Sequence, residues 1–514
     1  GDLCGDWQRD ERSERGRRRS RLAGEAIEKP HDPAIHRIRS GPQSLLWPAP
    51  GRTLVARAPR NYHRRHERMP RKLSPPQFLA VSFLALIALG GALLRLPMSA
   101  APGKFVGTLD AFFTSTSAVC VTGLIVKDTP VDFSPTGQLI IMLLIQAGGL
   151  GYMTLSTALA VALGRKLSLQ ERITVQESLN LDSRHDLVRF VLVVFKTTMV
   201  VELVGASILT ARWTSEFGLP RAAWYGIFHA VSAFNNAGFA LFSDNLVSYR
   251  SDPSVNLVMT ALVILGGLGF LVLRELRSRK RWDRLMLHTR LTLVVTAALL
   301  LGGMLAILLL EWSNPKTLGP LPLQTKLLAA WFQSVTPRTA GFNTLDMAGL
   351  TIPSLFVIMA LMFVGASPGG TGGGVKTTTF GVTVLALWAT VRGDREPTVF
   401  KRRIGLEVVF KAFLISFIAF LALNCAAIVT LMIEGRGLLE TLFETTSALS
   451  TAGLSMGHSG SVLSLAGQFS PAGKLLVKVM MFVGRVGPLT VAIAFAARRE
   501  RARLRYPEGR VLIG

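Results

Sequence analysis

Apolar residues gather into eight long stretches, near 78–96, 137–163, 187–211, 255–273, 291–310, 352–387, 406–433 and 474–497. As a helix, a stretch of about 20 residues crosses the hydrocarbon core of a bilayer. Lipid forces every backbone polar group to find its partner within the protein, so continuous apolar runs of this length predict helices. Inside each successive pair lies a shorter amphipathic stretch, at 109–118, 222–234, 326–335 and 438–449. About a dozen residues cannot span. Each such stretch predicts a half-helix that enters the membrane and turns back.

The turn itself has a recurring text. A Phe, two residues, Val or Thr, then Ser or Thr leads into a glycine in FTSTSAVCVTG, FHAVSAFNNAG, FQSVTPRTAG and FETTSALSTAG. These end at Gly123, Gly238, Gly341 and Gly453, the third copy one residue shorter than the others. The spacing divides the chain into four helix–pore-loop–helix units, 73–165, 166–275, 276–391 and 392–514. Irregular backbone at membrane depth is tolerated only inside protein or against water, so four returns should ring one cavity on a pseudo-fourfold axis. The fold expected is all-α and integral to the membrane, with eight transmembrane helices.

A single glycine in a membrane helix is ordinarily a packing device. Four in matched contexts point instead to carbonyl chemistry. Backbone oxygens can replace the hydration shell of an ion, and glycine reaches the required dihedrals without a Cβ penalty. The candidate filter is Val121, Thr122 and Gly123, with Asn236, Ala237 and Gly238, Thr339, Ala340 and Gly341, and Thr451, Ala452 and Gly453. These residues bring no carboxylate, which favours a monovalent alkali cation held at backbone carbonyls over a divalent ion. Unequal segments predict fewer well-defined ion sites than four identical strands would make.

The second long segment of the third unit is interrupted by GASPGGTGGGVK at 365–376. Pro368 and six glycines cannot continue a helix. A phosphate-binding reading fails because Val375 separates Gly374 from Lys376, and because two membrane half-helices replace the strand and helix that motif needs. A loop below the filter reads as a gate, with Gly365, Gly369, Gly370, Gly372, Gly373, Gly374 and Lys376 as its residues. Arg485, inside the last apolar stretch, should face protein or water. It either repels cations on the path, or bonds loop carbonyls, or both. Lys474 and Lys478 are interfacial or paired with an acid such as Glu444. Arg338 should be anchored outside the path, Glu407 and Lys411 paired along a helix, and Asn235–Asn236 either at the entrance or satisfying buried backbone.

Composition narrows the class. A 514-residue chain with 49% hydrophobic residues, 17% charged residues and mean hydropathy +0.40 is no ordinary soluble protein. Its net charge of +25 does not signal nucleic acid. Lys and Arg concentrate in the N-terminal region and in 165–184, 274–290, 392–403 and 498–510, while the opposite connections hold Asp128, Asp132, Asp244 and Asp346. That alternation places both termini in the cytoplasm. Residues 1–72 are rich in Arg, Pro and His, lack periodicity and read as disordered. The sequence MPRKLSPPQFLAVSF from Met69 reads as a native start. Cys4, Cys120 and Cys425 form no metal-binding or disulfide pattern. His229 and His458 have no partner at motif spacing, so no enzyme is expected. A symporter of a small organic solute is the rival reading, but such folds pair two interrupted helices, and here one span is clearly interrupted.

CVTGL, NNAGF, RTAGFN and STAGL, with GASPGGTGGGVKTTTF and MFVGRVGPLT, together resemble the Trk/Ktr/HKT superfamily of potassium transporters, and within it the bacterial KtrB branch. The resemblance runs from about Met69 to the C-terminus. It implies potassium uptake across the bacterial inner (plasma) membrane, channel-like and gated, with sodium as a further ion on which relatives depend. It implies a homodimer in the lipid bilayer, seated on a cytoplasmic KtrA/TrkA-like ring. Any nucleotide would act through that partner. The family's filter role passes to Gly123, Gly238, Gly341 and Gly453 with the residues before them, its gating loop to 365–376, and its gate arginine to Arg485.

Overall fold

The computed structural model describes residues 75–151, 187–279, 281–457, 463–487 and 490–491. The expected N-terminal extension with Met69, the end of the second apolar stretch, the 165–184 and 498–510 basic runs and His458 lie outside the described residues.

The chain is mostly helical. The first long helix, α1 (Pro75–Leu94), leads to the short α2 (Thr108–Val119) and then α3 (Pro135–Gly149). The same succession follows with α4 (Leu187–Phe217), α5 (Leu219–Phe234) and α6 (Pro253–Leu268), which continues as α7 (Phe270–Ser278). Next come α8 (Leu287–Glu311), α9 (Leu323–Val335), α10 (Ile352–Phe363) and α11 (Thr377–Arg392). The last set is α12 (Leu406–Glu434), α13 (Leu438–Ser450) and α14 (Pro471–Val486). A two-stranded hairpin, Thr398–Val399 with Arg402–Arg403, joins α11 to α12.

Among the described residues four helices are long and apolar enough to cross a membrane, and a fifth span is reached if α6 and α7 count as one. Their outward faces are apolar, with Leu203, Leu309, Phe417 and Met432 exposed. That is the surface lipid requires, because tails solvate Leu and Phe as well as a core does. The interior is instead rich in hydroxyls and small residues. α2 buries Thr114, Ser115, Thr116 and Ser117, and α13 buries Thr445, Thr446, Ser447 and Ser450.

The fourth stretch is not continuous. α6 and α7 meet at 97°, pivoting on Gly269 at φ +91°. A Cβ there would lie 2.4 Å from the Pro368 carbonyl oxygen, so only glycine lets the two backbones meet. The expectation of one interrupted span is therefore corrected to two, and the two breaks touch. The amides of Ser367 and Thr371 donate to the carbonyls of Gly267 and Gly266 (2.9 and 3.1 Å), and Phe270 N donates to Gly369 O at 3.1 Å. Carbonyls freed by one broken helix are satisfied by the other, as a membrane interior demands.

Candidate ion pathway

Each glycine segment leaves its short helix in the same way. The residue before the glycine donates its N–H to the carbonyl of the motif hydroxyl residue: Thr122 to Ser117, Ala237 to Ser232, Ala340 to Thr336 and Ala452 to Ser447, at 2.7–2.9 Å. Three hydroxyls add a second tie. Ser117 Oγ accepts from Gly123 N, Ser232 Oγ donates to Phe239 O, and Thr336 Oγ1 donates to Phe342 O. The motif phenylalanines Phe113, Phe228, Phe332 and Phe443 are all buried and wedge the short helices in place. The repeated text is thus a support for the turn.

Two residues per segment adopt positive φ, always two apart: Val121 with Gly123, Asn236 with Gly238, Thr339 with Gly341, and Thr451 with Gly453. Backbone alternating in handedness turns successive peptide groups to one side. A non-glycine residue in this region carries strain, which persists only when its surroundings over-determine it.

The four segments close on one another. A Cβ on Gly123 would lie 2.6 Å from Ala237 O, one on Gly238 would lie 2.9 Å from Ala340 O, and one on Gly341 would lie 3.0 Å from Ala452 O. A Cβ on Gly453 would strike Thr122 O, which returns to the first segment. The contacts run in chain order and complete a ring. Above it opens a cavity of about 320 Å³, floored by the same four glycines and walled by Asp128, Asp244 and Asp346 among others. Asp128 is partly buried, and that burial raises its carboxyl above the usual range; the Ser243 hydroxyl, donating at 2.6 Å, opposes the rise and Asp132 adds to it.

Below the ring lies the 365–376 loop. Val364 and Val375 pair as a short parallel bridge that closes its base. A Cβ on Gly372 would strike Thr339 Oγ1 and one on Gly373 would strike Thr451 Oγ1, so the loop is pressed against the segments themselves. Thr371 Oγ1 donates to Phe234 O at 3.1 Å, and Lys376 Nζ returns to Gly372 O at 2.8 Å. Gly365 packs on Gly373, Gly370 on the Gly266–Gly267 backbone, and Gly374 back on Gly365, while Gly369 turns at positive φ.

Arg485 on α14 reaches this loop. Its guanidinium donates to the carbonyls of Thr371, Gly148 and Gly149, which ties loop, α3 and α14 together. Arg338 is buried, with Nη2 donating to Gly365 O at 3.4 Å. Glu407 and Lys411 pair at 2.7 Å. Lys474 pairs with Asp110 of α2 at 2.9 Å, not with Glu444, which instead accepts from Ser455 Oγ and Ala466 N. The geometry assigns Asn235 to the interior, donating to Glu202 and Gln146. Neither the Asp110–Lys474 pair nor Glu202 had a local signal, since each partner is remote in sequence. His229 accepts from Leu241 N through Nε2 and lies 2.8 Å from Tyr225 O, a structural bond just beyond the second segment.

Comparison with known proteins agrees with this architecture. The profile of TrkH, described as a cation transport protein, matches residues 53–505. The chain belongs to the TrkH family. This TrkH-family chain is 42% identical over 447 residues to the Ktr system potassium uptake protein B of Bacillus subtilis (strain 168), covering 86% of this chain and 97% of that one. It is 39% identical to the protein of the same name from Vibrio alginolyticus, covering 85% and 95%. It is 36% identical to the potassium/sodium uptake protein NtpJ of Enterococcus hirae, covering 87% and 99%. The crystal structure of the potassium transporter TrkH from Vibrio parahaemolyticus shares the fold, with a TM-score of 0.65 at 19% identity over 84% of this chain and 87% of that one. The family match and the long apolar helices together make it a multi-pass membrane protein.

Proposed function

We propose that this chain is the potassium-translocating membrane subunit of a Ktr/Trk-type uptake system, with the carbonyls of the four glycine segments as its filter and the 365–376 loop as its gate. The observation that carries this reading is the closed ring of glycine contacts between an acid-walled cavity and a loop pinned by Arg485. Four helix–pore-loop–helix units, with the bounds expected from sequence, and eight spans complete the reading. α10 with α11 supplies one of those spans.

No chemical step is needed. A membrane potential of about 150 mV is worth roughly 3.5 kcal/mol per charge, and at 1.4 kcal/mol per decade it supports accumulation of several hundred-fold. A role for sodium is supported by the name of the Enterococcus relative, a potassium/sodium uptake protein, and we assign it here as a regulating ion. The relatives' designation as parts of a Ktr system supports a partner component. We take that partner to be a cytoplasmic regulatory ring under a homodimer in the bacterial plasma membrane, and the alternation of Lys and Arg between connections supports termini inside. The second interrupted helix removes one ground for setting aside an organic-solute symporter. The other ground stands, because a fourfold ring leaves no paired midplane site of the kind those folds use.

Growth of a potassium-uptake-deficient bacterium at low potassium, with and without sodium and a regulator, tests the proposal. Rescue that disappears on replacing Gly123 or Gly453 by a bulkier residue supports it. Absence of rescue by a membrane-inserted wild-type chain under every condition overturns it.

A further inference from the structure

Just beyond the ring, neighbouring glycine segments are joined a second time where they leave it. Ser243 Oγ, after the second segment, donates to Asp128, after the first, at 2.6 Å. Leu246 N donates to Asn343 O, after the third, at 3.1 Å. Leu345 and Met347 share an apolar cluster with Leu454, after the fourth. The join between the fourth and the first is made by a strap, 463–469, that includes the one-turn helix Leu465–Gln468. Ser464 N donates to Ile125 O at 3.0 Å, and Ser464 Oγ accepts from Ile125 N at 2.9 Å. Leu465, Ala466 and Phe469 pack in one cluster with Leu124 and Val126.

One carboxyl holds this strap. Glu444 is wholly buried on α13, the short helix that delivers the fourth segment. Its Oε1 accepts from Ala466 N at 2.9 Å and its Oε2 from Ser455 Oγ at 2.6 Å. Ser455 Oγ also takes the N–H groups of Leu465 and Gly457, at 2.8 and 3.2 Å. A hydroxyl has two lone pairs and one hydrogen, so with both pairs occupied the hydrogen is left for Glu444. Both carboxyl oxygens therefore serve as acceptors. A side-chain amide, with one acceptor, could not answer both donors. A buried N–H or hydroxyl left without its partner is costly, which makes this anchor exacting.

We infer that Glu444 is a positioning residue for ion selectivity, which it controls by setting the strap that holds the fourth glycine segment against the first. The contact that closes the ring, Gly453 on Thr122 O, lies two residues before Ser455 and three before Ile125. Release of the strap loosens that contact from both sides and alters the carbonyl spacing on which choice between alkali cations depends. The consequence for selectivity rests on reading the glycine segments as a filter; the anchoring of the strap does not.

The test measures rubidium uptake into proteoliposomes against competing sodium, at matched amounts of inserted protein. It compares wild type with Glu444→Gln, Glu444→Asp, Ser464→Ala and the double variant Glu444→Gln/Ser464→Ala. Expected in Glu444→Gln is a rubidium-over-sodium preference lowered several-fold with the maximal rate retained. Glu444→Asp, which keeps two acceptors, should recover part of the preference, and Ser464→Ala should lose as much as Glu444→Gln. The double variant should be no worse than the worse single one, because both release the same strap. Wild-type preference in Glu444→Gln overturns the inference, as do losses that multiply in the double variant or a maximal rate that falls with preference unaltered. Should the Glu444 variants fail to insert, Ser455→Ala and Ser464→Ala, which each remove one hydroxyl, decide it: wild-type preference in both is equally fatal. Gly123→Ser separates the two failures. Preference lost there but kept in Glu444→Gln sinks the strap alone, whereas preference kept in Gly123→Ser sinks the filter reading on which it rests.

Discussion

Gly373 and Thr451 are so close that a methyl group on the glycine would run into the threonine hydroxyl. The same holds for Gly372 and Thr339. The glycines of the loop are therefore demanded by contact with the ring above, beyond any need for flexibility. Overpacking of such a site costs on the order of 1–3 kcal/mol. Gly373→Ala should push the loop off the ring and raise basal rubidium flux in proteoliposomes, and Thr451→Ala should restore the flux toward wild type by making room. An alanine variant with wild-type flux would show that the loop is not held against the ring.

Arg485 gives three carbonyls a charged donor, each such bond contributing about 1.5–3 kcal/mol. Arg485→Gln should lose most of that hold and shift the loop toward the open arrangement by on the order of tenfold or more, at 1.4 kcal/mol per decade. Tracer flux without regulator reads this directly. A fall in flux would mean that Arg485 assists conduction instead of restraining the loop.

Gly123 sits at φ +95° with Ala237 O where its Cβ would go. Gly123→Ser should spread the ring and lower potassium-over-sodium preference, measured by competing rubidium uptake with sodium. Gly103 also has positive φ but nothing within 4 Å of a Cβ, so Gly103→Ser should leave selectivity intact. Equal selectivity in both variants would detach the ring from ion choice.

Asp128 walls the outer cavity, and burial raises its carboxyl above the ordinary range. A raised value means that it takes up a proton earlier than an exposed aspartate as pH falls. The cavity then loses a negative charge, so half-saturating potassium should rise on acidification. Asp128→Asn should begin at the raised value and lose this part of the pH profile. Retention of the full profile would place the titrating group elsewhere.

Much of this protein was legible in its sequence. The short helices, the glycine turns and the broken third unit followed from apolar length, from amphipathic stretches too short to span, and from proline and glycine density. The break at Gly269 was not. GGLGF reads as an ordinary glycine-rich helix packing site, and what opens it is the Gly369 carbonyl and Pro368 backbone from a segment about a hundred residues away. The Arg485 position was visible as an intramembrane cation with loop carbonyls as one reading of its partners, but the two carbonyls of α3, Gly148 and Gly149, were not.

The sequence by itself determined which segments enter the membrane and where the backbone must turn, because lipid thickness and glycine dihedrals are local constraints. Only the tertiary structure decided who answers whom: Asp110 with Lys474, Glu202 with Asn235, and Thr122 meeting Gly453 to close the ring. Such partners are selected by the requirement that every buried polar group be satisfied. That requirement is met through space, across hundreds of residues, and leaves no mark on local pattern.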